Sequence, residues 1–289
     1  MSIILALLAA LFASFTAILA KIGIEDVDSN LATAVRTIVV VIMAYIMVLI
    51  TGQTENIMAV STRSFIFLVL SGLTTGLSWL AFFKAIQIGD VSKVVPIDKA
   101  SVVLTILLSF VVLREPATMP VVAGGIIISI GTFVLIGKEK KKKRRKKVFN
   151  TKSYIFLAIM SAVFAALTNI LAKIGIEDVD SNVATFIRTV VIIIFAWGIV
   201  FFQGTVKELK KISKKSYIFL ILSGAATGFS WLCYFAALAI GKVSIVNPID
   251  KFSVVLTMIL SFIILKEKPT KSTIAGAVLI TIGTALLIL

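Results

Sequence analysis

The decapeptide KIGIEDVDSN occupies residues 21–30 and occurs again, letter for letter, at residues 173–182. Extending the alignment at this offset of 152 residues places residues 1–137 on residues 153–289 without a gap, and 72 of the 137 aligned positions are identical. Identity of this extent indicates an internal duplication. The sequence therefore predicts a first repeat over residues 1–137, a linker over residues 138–152 and a second repeat over residues 153–289.

The composition of the chain is that of a membrane protein. Its 289 residues are 59% apolar and 15% charged, whereas soluble domains are about 45–50% apolar and about 25% charged. A soluble chain of this length could not cover so much apolar surface with polar groups. The chain has no histidine and one cysteine, Cys233, which excludes imidazole-based catalytic and metal sites and an intramolecular disulfide.

Each repeat contains five continuous apolar runs of about the length that spans a bilayer as a helix. The runs do not alternate as the strands of a membrane barrel do. The first run, at residues 3–20, is interpreted as a span and not as a cleavable signal. Asp28, Ser29 and Asn30 are expected to cap the second helix, and their repeats the seventh. The sequence predicts an all-α membrane protein with ten transmembrane helices, near residues 2–20, 31–51, 64–87, 93–113, 118–136, 154–172, 183–203, 216–239, 245–265 and 270–288.

Five spans in each repeat place the second repeat upside down relative to the first. Lys and Arg favour the cytoplasmic side of a membrane. With the linker on that side, 21 Lys and Arg residues lie inside and four outside. The second loop of the first repeat carries only Arg63, whereas its counterpart carries five lysines. We therefore expect two inverted five-helix repeats in the cell membrane, with a cytoplasmic linker and both termini outside.

The linker itself is strongly basic. Residues 138–152 hold ten Lys or Arg residues and one acid, and they supply most of the net charge of +15. Such runs bind either nucleic acid or the anionic headgroups of a membrane. Because this run joins two membrane units, we expect lipid headgroups as its partner and no nucleic acid.

Several motifs recur in the same order in both repeats. An arginine stands early in the second helix, a Gly- and Trp-containing segment forms the third, and a Leu-x-Glu sequence precedes a glycine-rich last helix. With these motifs the sequence resembles members of the drug/metabolite transporter superfamily. Specifically, it resembles two EamA-type five-helix units fused in one chain. The resemblance implies a ten-helix inverted-repeat carrier of a small metabolite, amino acid or drug. It also implies a cavity lined by the first, third and fourth helices of each half. The motif residues are Arg36, Arg188, Gly72, Trp79, Phe82, Phe83, Glu115, Glu267, Thr118 and Thr270.

The sequence departs from the family pattern in two respects. Ten-helix members keep their termini in the cytoplasm, whereas the charges here predict both termini outside. The smaller four-helix relatives use an acid in their first helix, and residues 3–20 and 155–172 contain none. The proton-antiport chemistry of those relatives is therefore not carried over to this chain.

Two classes of function fit this architecture. Inverted repeats are typical of secondary transporters, which expose a midplane site to each side in turn, with a proton or cation as a coupling partner. The alternative is a non-transporting membrane scaffold, sensor or lipid-binding protein. Only the carrier needs a polar pocket between the halves. No nucleophile motif, metal cluster or phosphate loop is present, so we expect no enzymatic activity, cofactor or metal. The oligomeric state, monomer or homodimer, is left open by the sequence.

The segment PIDK, at residues 96–99 and 248–251, gives the first candidate site residues. Proline removes a backbone hydrogen bond and can leave carbonyls free to face a cavity. A charge inside the bilayer usually faces protein or water. One hypothesis makes the aspartates cation or proton sites and the lysines anion contacts. The other is structural: neighbours on a helix do not face each other, so each would pair with another helix or reach the interface. The residues are Pro96, Asp98, Lys99, Pro248, Asp250 and Lys251.

Arg36 and Arg188 lie about 7–8 Å into their helices, at 1.5 Å per residue. A guanidinium at this depth can bind a carboxylate or a phosphate through two hydrogen bonds. It can instead reach the headgroups or pair with its own acidic loop. The sequence leaves both interpretations open.

The third helices carry aromatic and hydroxyl side chains that can form a ligand cage or face lipid. Two further positions differ in polarity between the repeats: Val95 corresponds to Asn247, and Lys84 to Ala236. Divergence of this kind is expected where one asymmetric solute binds, so Asn247 and Lys84 are candidates. The Gly-xxx-Gly pairs of the third helices and the glycine faces of the last helices are expected to pack helices together. The third-helix candidates are Ser78, Trp79, Ser230, Trp231 and Tyr234; the packing glycines are Gly72, Gly76, Gly124, Gly131, Gly224, Gly228, Gly276 and Gly283.

Overall fold

The computed structural model of the protein describes residues 1–23, 27–88, 101–136, 151–264 and 271–288. Within these ranges the chain forms helices and no strand. The helices of the first repeat are α1 (Ser2–Gly23), α2 (Ser29–Ile50), α3 (Thr62–Ile88), α4 (Ser101–Val112) and α5 (Met119–Ile136). Those of the second are α6 (Thr151–Gly175), α7 (Ser181–Gln203), α8 (Lys214–Ile240), α9 (Val243–Asp250), α10 (Ser253–Ile264) and α11 (Lys271–Ile288).

Within the described residues, ten apolar helical segments correspond to the predicted spans. Seven are long and apolar enough to cross a membrane, and one of these, Val243–Ile264, comprises α9 and α10 together. Three shorter apolar segments lie in α4, α5 and α11. This arrangement confirms the predicted all-α membrane fold.

The repeated decapeptide caps a helix in each repeat, as expected. A carboxylate oxygen of Asp28 accepts hydrogen bonds of 3.0 Å from the backbone N–H groups of Asn30 and Leu31 at the start of α2. Asp180 does the same at the start of α7. These bonds satisfy N–H groups that have no partner inside the helix, and they set where both helices begin.

Equivalent helices of the two repeats pack antiparallel to each other, so the repeats are inverted. Gly124 lies near the start of α5, and a Cβ there would be 2.8 Å from the carbonyl oxygen of Gly283 near the end of α11. In the α2–α7 pair, Asn30 at the start of α2 donates a hydrogen bond of 3.0 Å to Gln203 at the end of α7. Both contacts bring the start of one helix to the end of its equivalent.

The repeats interlock, because each first helix packs against the third helix of the other repeat. The helix α1 packs on α8, and α6 packs on α3 in the equivalent way. Similarly, α2 packs on α8 as well as on α7, and α3 packs on α7. The interior of the protein is therefore the seam between the repeats, and side chains there come from both.

Side-chain size is distributed as expected for helices packed in lipid, where small residues let helices approach closely. On α1, small residues such as Ala6, Ala9 and Ser14 are fully buried, whereas the large Ile4 and Phe15 are exposed. Burial of small groups and exposure of large apolar ones is opposite to the pattern of a soluble helix. The outer surface of α1 thus fits an acyl-chain environment.

The glycines of the third helices lie at helix contacts between the repeats. A Cβ at Gly72 would lie 2.8 Å from Cβ of Val191 in α7, and one at Gly224 would lie 2.8 Å from Cβ of Val39 in α2. Val39 and Val191 are equivalent positions, so the same close approach occurs twice. The other glycines at such contacts are Gly76, Gly228, Gly131, Gly276 and Gly283.

The ninth span is broken, whereas the sequence predicted one run over residues 245–265. It begins at Val243, and α9 ends at Asp250. Pro248 has no N–H group for the carbonyl of Ser244. The backbone then continues with tighter bonds, from Lys251 N–H to the Pro248 carbonyl (3.1 Å) and from Phe252 N–H to the Ile249 carbonyl (2.9 Å). The break between α9 and α10 thus lies just after the proline, where these i→i−3 bonds take the place of α-helical ones.

Candidate functional site

A chain of polar side chains lies inside the protein where α6, α8 and α9 meet. The Tyr234 hydroxyl donates a hydrogen bond of 2.9 Å to Oδ1 of Asn169 and accepts one of 3.0 Å from Nδ2 of Asn247. Tyr234 is 8% exposed and Asn247 is 2% exposed. Thr105 of α4 extends the chain into the first repeat, because its hydroxyl accepts a 3.4 Å bond from Nδ2 of Asn169.

Arg188 of α7 lies beside this chain and is 2% exposed. Its Nε donates a hydrogen bond of 2.9 Å to the hydroxyl of Ser71, on α3 of the other repeat. Its Cζ lies 3.9 Å from the ring centroid of Phe235, the separation of a cation–π contact. The side chain is therefore turned into the seam and does not reach the headgroups. We call Asn169, Arg188, Tyr234 and Asn247 the polar cluster.

The polar cluster is specific to the second repeat. The positions of Asn169, Tyr234 and Asn247 correspond in the first repeat to Ala17, Phe82 and Val95. Three polar side chains thus replace three apolar ones within one hydrogen-bonded group. Divergence had identified Asn247 from the sequence, and the same signal was present at Asn169 and Tyr234.

Two atoms of the polar cluster are buried without a hydrogen-bond partner. They are Nη1 of Arg188, which is a donor, and Oδ1 of Asn247, which is an acceptor. Buried polar groups in native proteins almost always have a partner, and a buried unpaired group costs about 1–3 kcal/mol. With an unpaired donor and an unpaired acceptor, the polar cluster is a candidate binding site.

Asp250 and Lys251 pair with each other at the break between α9 and α10. Nζ of Lys251 lies 3.4 Å from Oδ2 of Asp250, and the side chains are 24% and 18% exposed respectively. The expectation that these neighbours do not face each other was wrong, because it assumes a continuous helix and α9 ends at Asp250. The pair lies one helical turn beyond Asn247, next to the polar cluster.

The corner between α8 and α9 is held by one charged residue from each repeat. Glu115 of the first repeat accepts hydrogen bonds from the N–H groups of Val243 (2.6 Å) and Ser244 (2.9 Å), at the start of α9. Nζ of Lys173 donates to the carbonyls of Leu238 (2.5 Å) and Gly241 (2.8 Å), at the end of α8. The two side chains thus satisfy the end groups of both helices at the corner.

The backbone after α4 directs Glu115 toward this corner. Arg114 has φ of +53°, a left-handed conformation that usually belongs to glycine at a helix end. The N–H of Glu115 then bonds to the carbonyl of Ser109 at 3.2 Å, which holds the chain against the end of α4. No local pattern predicts this role, because Glu115 caps a helix 128 residues away.

Arg36 occupies the equivalent position in the first repeat and also crosses the seam. Its Nη2 donates a hydrogen bond of 2.9 Å to the hydroxyl of Thr227 in α8. Thr16 of α1 lies 3.3 Å from the same hydroxyl. Arg36 is half-buried, and its surroundings lack the asparagines and tyrosine found beside Arg188. Both arginines therefore contact the opposite repeat, but only Arg188 adjoins the polar cluster.

The serines of the third helices join helices together. The Ser230 hydroxyl donates to the carbonyl of Ala9 at 2.9 Å. Ser78 and Ser161 each donate to the other's carbonyl, at 3.1 Å and 3.0 Å. Trp79 and Trp231 are half-buried. These contacts favour a packing role for the two serines, between α1 and α8 and between α3 and α6.

An apolar crevice of about 290 Å³ lies between α4 and α5. Leu107 and Phe133, which line it, are 52% and 45% exposed, and among its lining residues only Ser129 has a polar side chain. The crevice opens on the outer, lipid-facing surface of the first repeat. It is therefore not a site for a polar solute.

Some predicted site residues lie outside the described part of the chain. Pro96, Asp98 and Lys99 fall between α3 and α4. Lys84 lies in α3, but its side chain is outside the described part. For these residues the sequence-based interpretations remain predictions.

Comparison with known proteins identifies the family. The sequence profile of the EamA-like transporter family matches residues 1–137 and 152–289. An "uncharacterized transporter in cobO 3′ region" of a Sinorhizobium species is 42% identical over 137 residues, which cover 47% of this chain and 97% of that relative. The glucose uptake protein GlcU of Bacillus subtilis strain 168 is 29% identical over 171 residues, which cover 56% of each chain.

The fold is also known from a solved structure. One crystal structure superposes with a TM-score of 0.81 over 99% of this chain and 96% of that chain, at 17% sequence identity. This likeness shows a shared fold. The two profile matches, one in each repeat, show that the chain belongs to the EamA-like transporter family and is a multi-pass membrane transporter.

Proposed function

We propose that the protein is a secondary transporter that moves a small organic solute by alternating access between its two inverted repeats. The observation that carries the proposal is the polar cluster, which is buried at the seam. Secondary transporters with inverted repeats bind their solute between the repeats. The polar cluster supplies donors and acceptors there, with Thr105 and Ser71 contributed by the first repeat.

The interlocked packing supports alternating access. Each first helix packs on the third helix of the other repeat, so the two ends of the protein are built from equivalent contacts. A rearrangement that opens one end has an equivalent that opens the other. The polar cluster lies about 10 Å below the end formed by the α8–α9 corner, since Arg188 is seven residues into α7 and helices rise about 1.5 Å per residue.

Asp250 with Lys251, and their equivalents Asp98 with Lys99, are our candidates for binding a coupling proton or cation. Asp250 is only 18% exposed and lies at a helix break. A carboxylate in this setting is accessible to a small cation and close to the solute site. The cation would then neutralise the carboxylate during the transport cycle.

The orientation that we propose follows from the charges of the loops. The linker and the lysines after α7 face the cytoplasm, and both termini face outside. The basic linker then lies against anionic headgroups of the inner leaflet, where each charge near the surface contributes about 1 kcal/mol.

Purified protein in proteoliposomes tests the proposal with a solute panel of amino acids, organic acids and hexoses, the last included because one relative is a glucose uptake protein. For the solute that is taken up, we expect Tyr234→Phe and Asn247→Val, which restore the apolar type of the first repeat, to lower uptake at least tenfold. Tyr217→Phe is the matched control, because the hydroxyl of this tyrosine donates to the Leu209 carbonyl near the start of α8, at the opposite end of that helix from Tyr234. No uptake of any solute, or unchanged uptake in both cluster variants, would contradict the proposal.

A further inference from the structure

We propose that the polar cluster recognises a small organic anion. Its oxyanion group binds Nη1 of Arg188, and a neighbouring O–H or N–H group of the same solute donates to Oδ1 of Asn247. A 2-hydroxy or 2-amino carboxylate has this pair of groups. The inference rests on the proposed transport function and names the substrate class of that site.

The donor half of the inference is the guanidinium of Arg188. It is 2% exposed, and its partners among the described residues are the hydroxyl of Ser71 and the ring of Phe235. Neither partner carries a negative charge, and a buried ion without a counter-ion is costly. Nη1 has no hydrogen-bond partner among the described residues. An oxyanion there supplies both the missing acceptor and the missing charge.

The acceptor half depends on which way the Asn247 amide points, and a chain of hydrogen bonds fixes this. Nδ2 of Asn169 lies 3.3 Å from the carbonyl of Ala165, which can only accept. Oδ1 of Asn169 therefore faces Tyr234 and accepts its O–H. The Tyr234 oxygen then needs a donor, which is Nδ2 of Asn247. Oδ1 of Asn247 is left as a buried acceptor without a donor.

The two unpaired atoms belong to side chains that are connected through an aromatic pair. The guanidinium of Arg188 stacks 3.9 Å from the centroid of the Phe235 ring. That ring lies edge to face with Tyr234, at 5.2 Å between centroids, and Asn247 bonds the Tyr234 hydroxyl. The aromatic pair thus separates a cationic donor from a neutral acceptor.

The local charge also favours an anion. Asp250 is balanced by Lys251 at 3.4 Å, so the guanidinium of Arg188 is the unbalanced charge among the described residues around the polar cluster. In the first repeat, Nε of Arg36 is also a buried donor without a partner among the described residues, but Arg36 has none of the three polar neighbours. An unpaired donor and an unpaired acceptor thus occur together only in the polar cluster, among the described residues.

The test is uptake by proteoliposomes of labelled solutes that differ in one group. Lactate carries both groups, lactamide lacks the charge and propionate lacks the hydroxyl. Phenylalanine and phenylalaninamide repeat the comparison at larger size, glycerol 3-phosphate offers a phosphate, and glucose is neutral. We expect uptake of at least one anion or amino acid to exceed that of its amide at least tenfold. Uptake of glycerol 3-phosphate above the carboxylates would support the anion site and assign it to phosphate.

Variants separate the two halves of the inference. We expect Arg188→Gln to weaken the preferred anion at least tenfold, and Arg188→Lys to weaken it less. Arg63→Gln, which removes an exposed arginine far from the cluster, is the control and should change uptake less than twofold. Asn247→Val should lower uptake of lactate, whose hydroxyl loses its acceptor, more than uptake of propionate, which has no hydroxyl. The ratio of propionate uptake to lactate uptake should therefore be higher than in the wild type.

Binding without transport gives a second measurement. We expect the preferred anion to raise the thermal unfolding temperature of the purified full chain, and Arg188→Gln to abolish the rise while remaining folded. Uptake of glucose alone, unaffected by Arg188→Gln, would overturn the inference and leave the transport function intact. If no solute is taken up and no anion shifts the unfolding temperature, both the anion site and the transport function are contradicted.

Discussion

A carboxylate oxygen of Glu115 lies 2.5 Å from the hydroxyl of Ser244, across the seam between the two repeats. Glu115 precedes the last helix of the first repeat, whereas Ser244 opens the broken ninth span. The same carboxylate accepts the N–H groups of Val243 and Ser244. A side chain of one repeat thus fixes the start of the helix that carries Asn247 in the other.

We expect loss of the Glu115 carboxylate to destabilise α9. Glu115→Ala leaves the N–H groups of Val243 and Ser244 without an acceptor, and a lost helix cap costs about 0.5–2 kcal/mol. Glu115→Gln keeps one acceptor oxygen and should cost less. The measurement is the thermal unfolding temperature of the purified protein, followed by uptake of the preferred solute, which should fall because Asn247 is no longer held in place.

The control for this prediction is Glu208→Ala, which removes an exposed carboxylate from the short 3₁₀ helix Thr205–Lys211. This variant should unfold at the wild-type temperature. A Glu115→Ala protein with unchanged stability and uptake would show that the corner is held by Lys173 and packing alone.

Close packing of the third helices gives a second prediction. Gly72→Ala places a methyl group 2.8 Å from Cβ of Val191 and 3.2 Å from the Arg188 carbonyl. The helices α3 and α7 must move apart, and overpacking of this kind costs about 1–3 kcal/mol. We expect a lower unfolding temperature and lower uptake, since the same displacement moves Arg188 away from Ser71.

Gly198→Ala is the matched control, because a Cβ at Gly198 meets nothing within 4 Å. Alanine is the better helix former by about 1 kcal/mol, so this variant should be neutral or slightly more stable. Equal destabilisation by the two substitutions would show that the close approach of α3 and α7 is not what destabilises the Gly72→Ala protein, since Gly198 has no neighbour within 4 Å.

Much of the fold could be predicted because it follows from local patterns. The helices were predicted from apolar runs of span length and from the capping residue Asp28. Their inversion was predicted from the odd number of runs in each repeat. Pro248 predicted a perturbed span, but the position of the break depends on the backbone after Asp250 and could not be read from the run itself.

The candidate site was less accessible to sequence analysis because its contacts join distant residues. Divergence between the repeats identified Asn247, and applied to every position it also identifies Asn169 and Tyr234. The partners of Arg188, by contrast, depend on how α3 of one repeat packs on α7 of the other. Ser71 is identical in both repeats, so no comparison of the repeats distinguishes it.

The coupling hypothesis predicts different effects on two transport modes. Asp250→Asn keeps the shape of the side chain but removes its charge, so a proton or cation can no longer neutralise it. We expect gradient-driven uptake of the preferred solute to be lost, while exchange of labelled for unlabelled solute continues. Asp98→Asn tests the equivalent position, and Glu208→Gln serves as the charge control. Unchanged concentrative uptake in both aspartate variants would rule out the role.

The orientation in the membrane can be tested at one pair of equivalent positions. Glu55 and Lys207 correspond to each other in the two repeats, and both are exposed, in the short helices after α2 and α7. Because the repeats are inverted, the two positions lie on opposite sides of the membrane. We introduce Glu55→Cys or Lys207→Cys into a Cys233→Ala background, in which no other cysteine remains, and label whole cells with a membrane-impermeant maleimide.

We expect Glu55→Cys to be labelled in intact cells and Lys207→Cys only after the membrane is permeabilised, because the loop after α7 is rich in lysine and Lys and Arg favour the cytoplasmic side. The Cys233→Ala protein alone gives the background. The reverse result would place the linker outside and the termini in the cytoplasm, which leaves the inverted fold intact but refutes the charge argument. Labelling of both positions from the same side would contradict the inversion itself, since the antiparallel α2–α7 pair requires these two segments to lie at opposite ends of the protein.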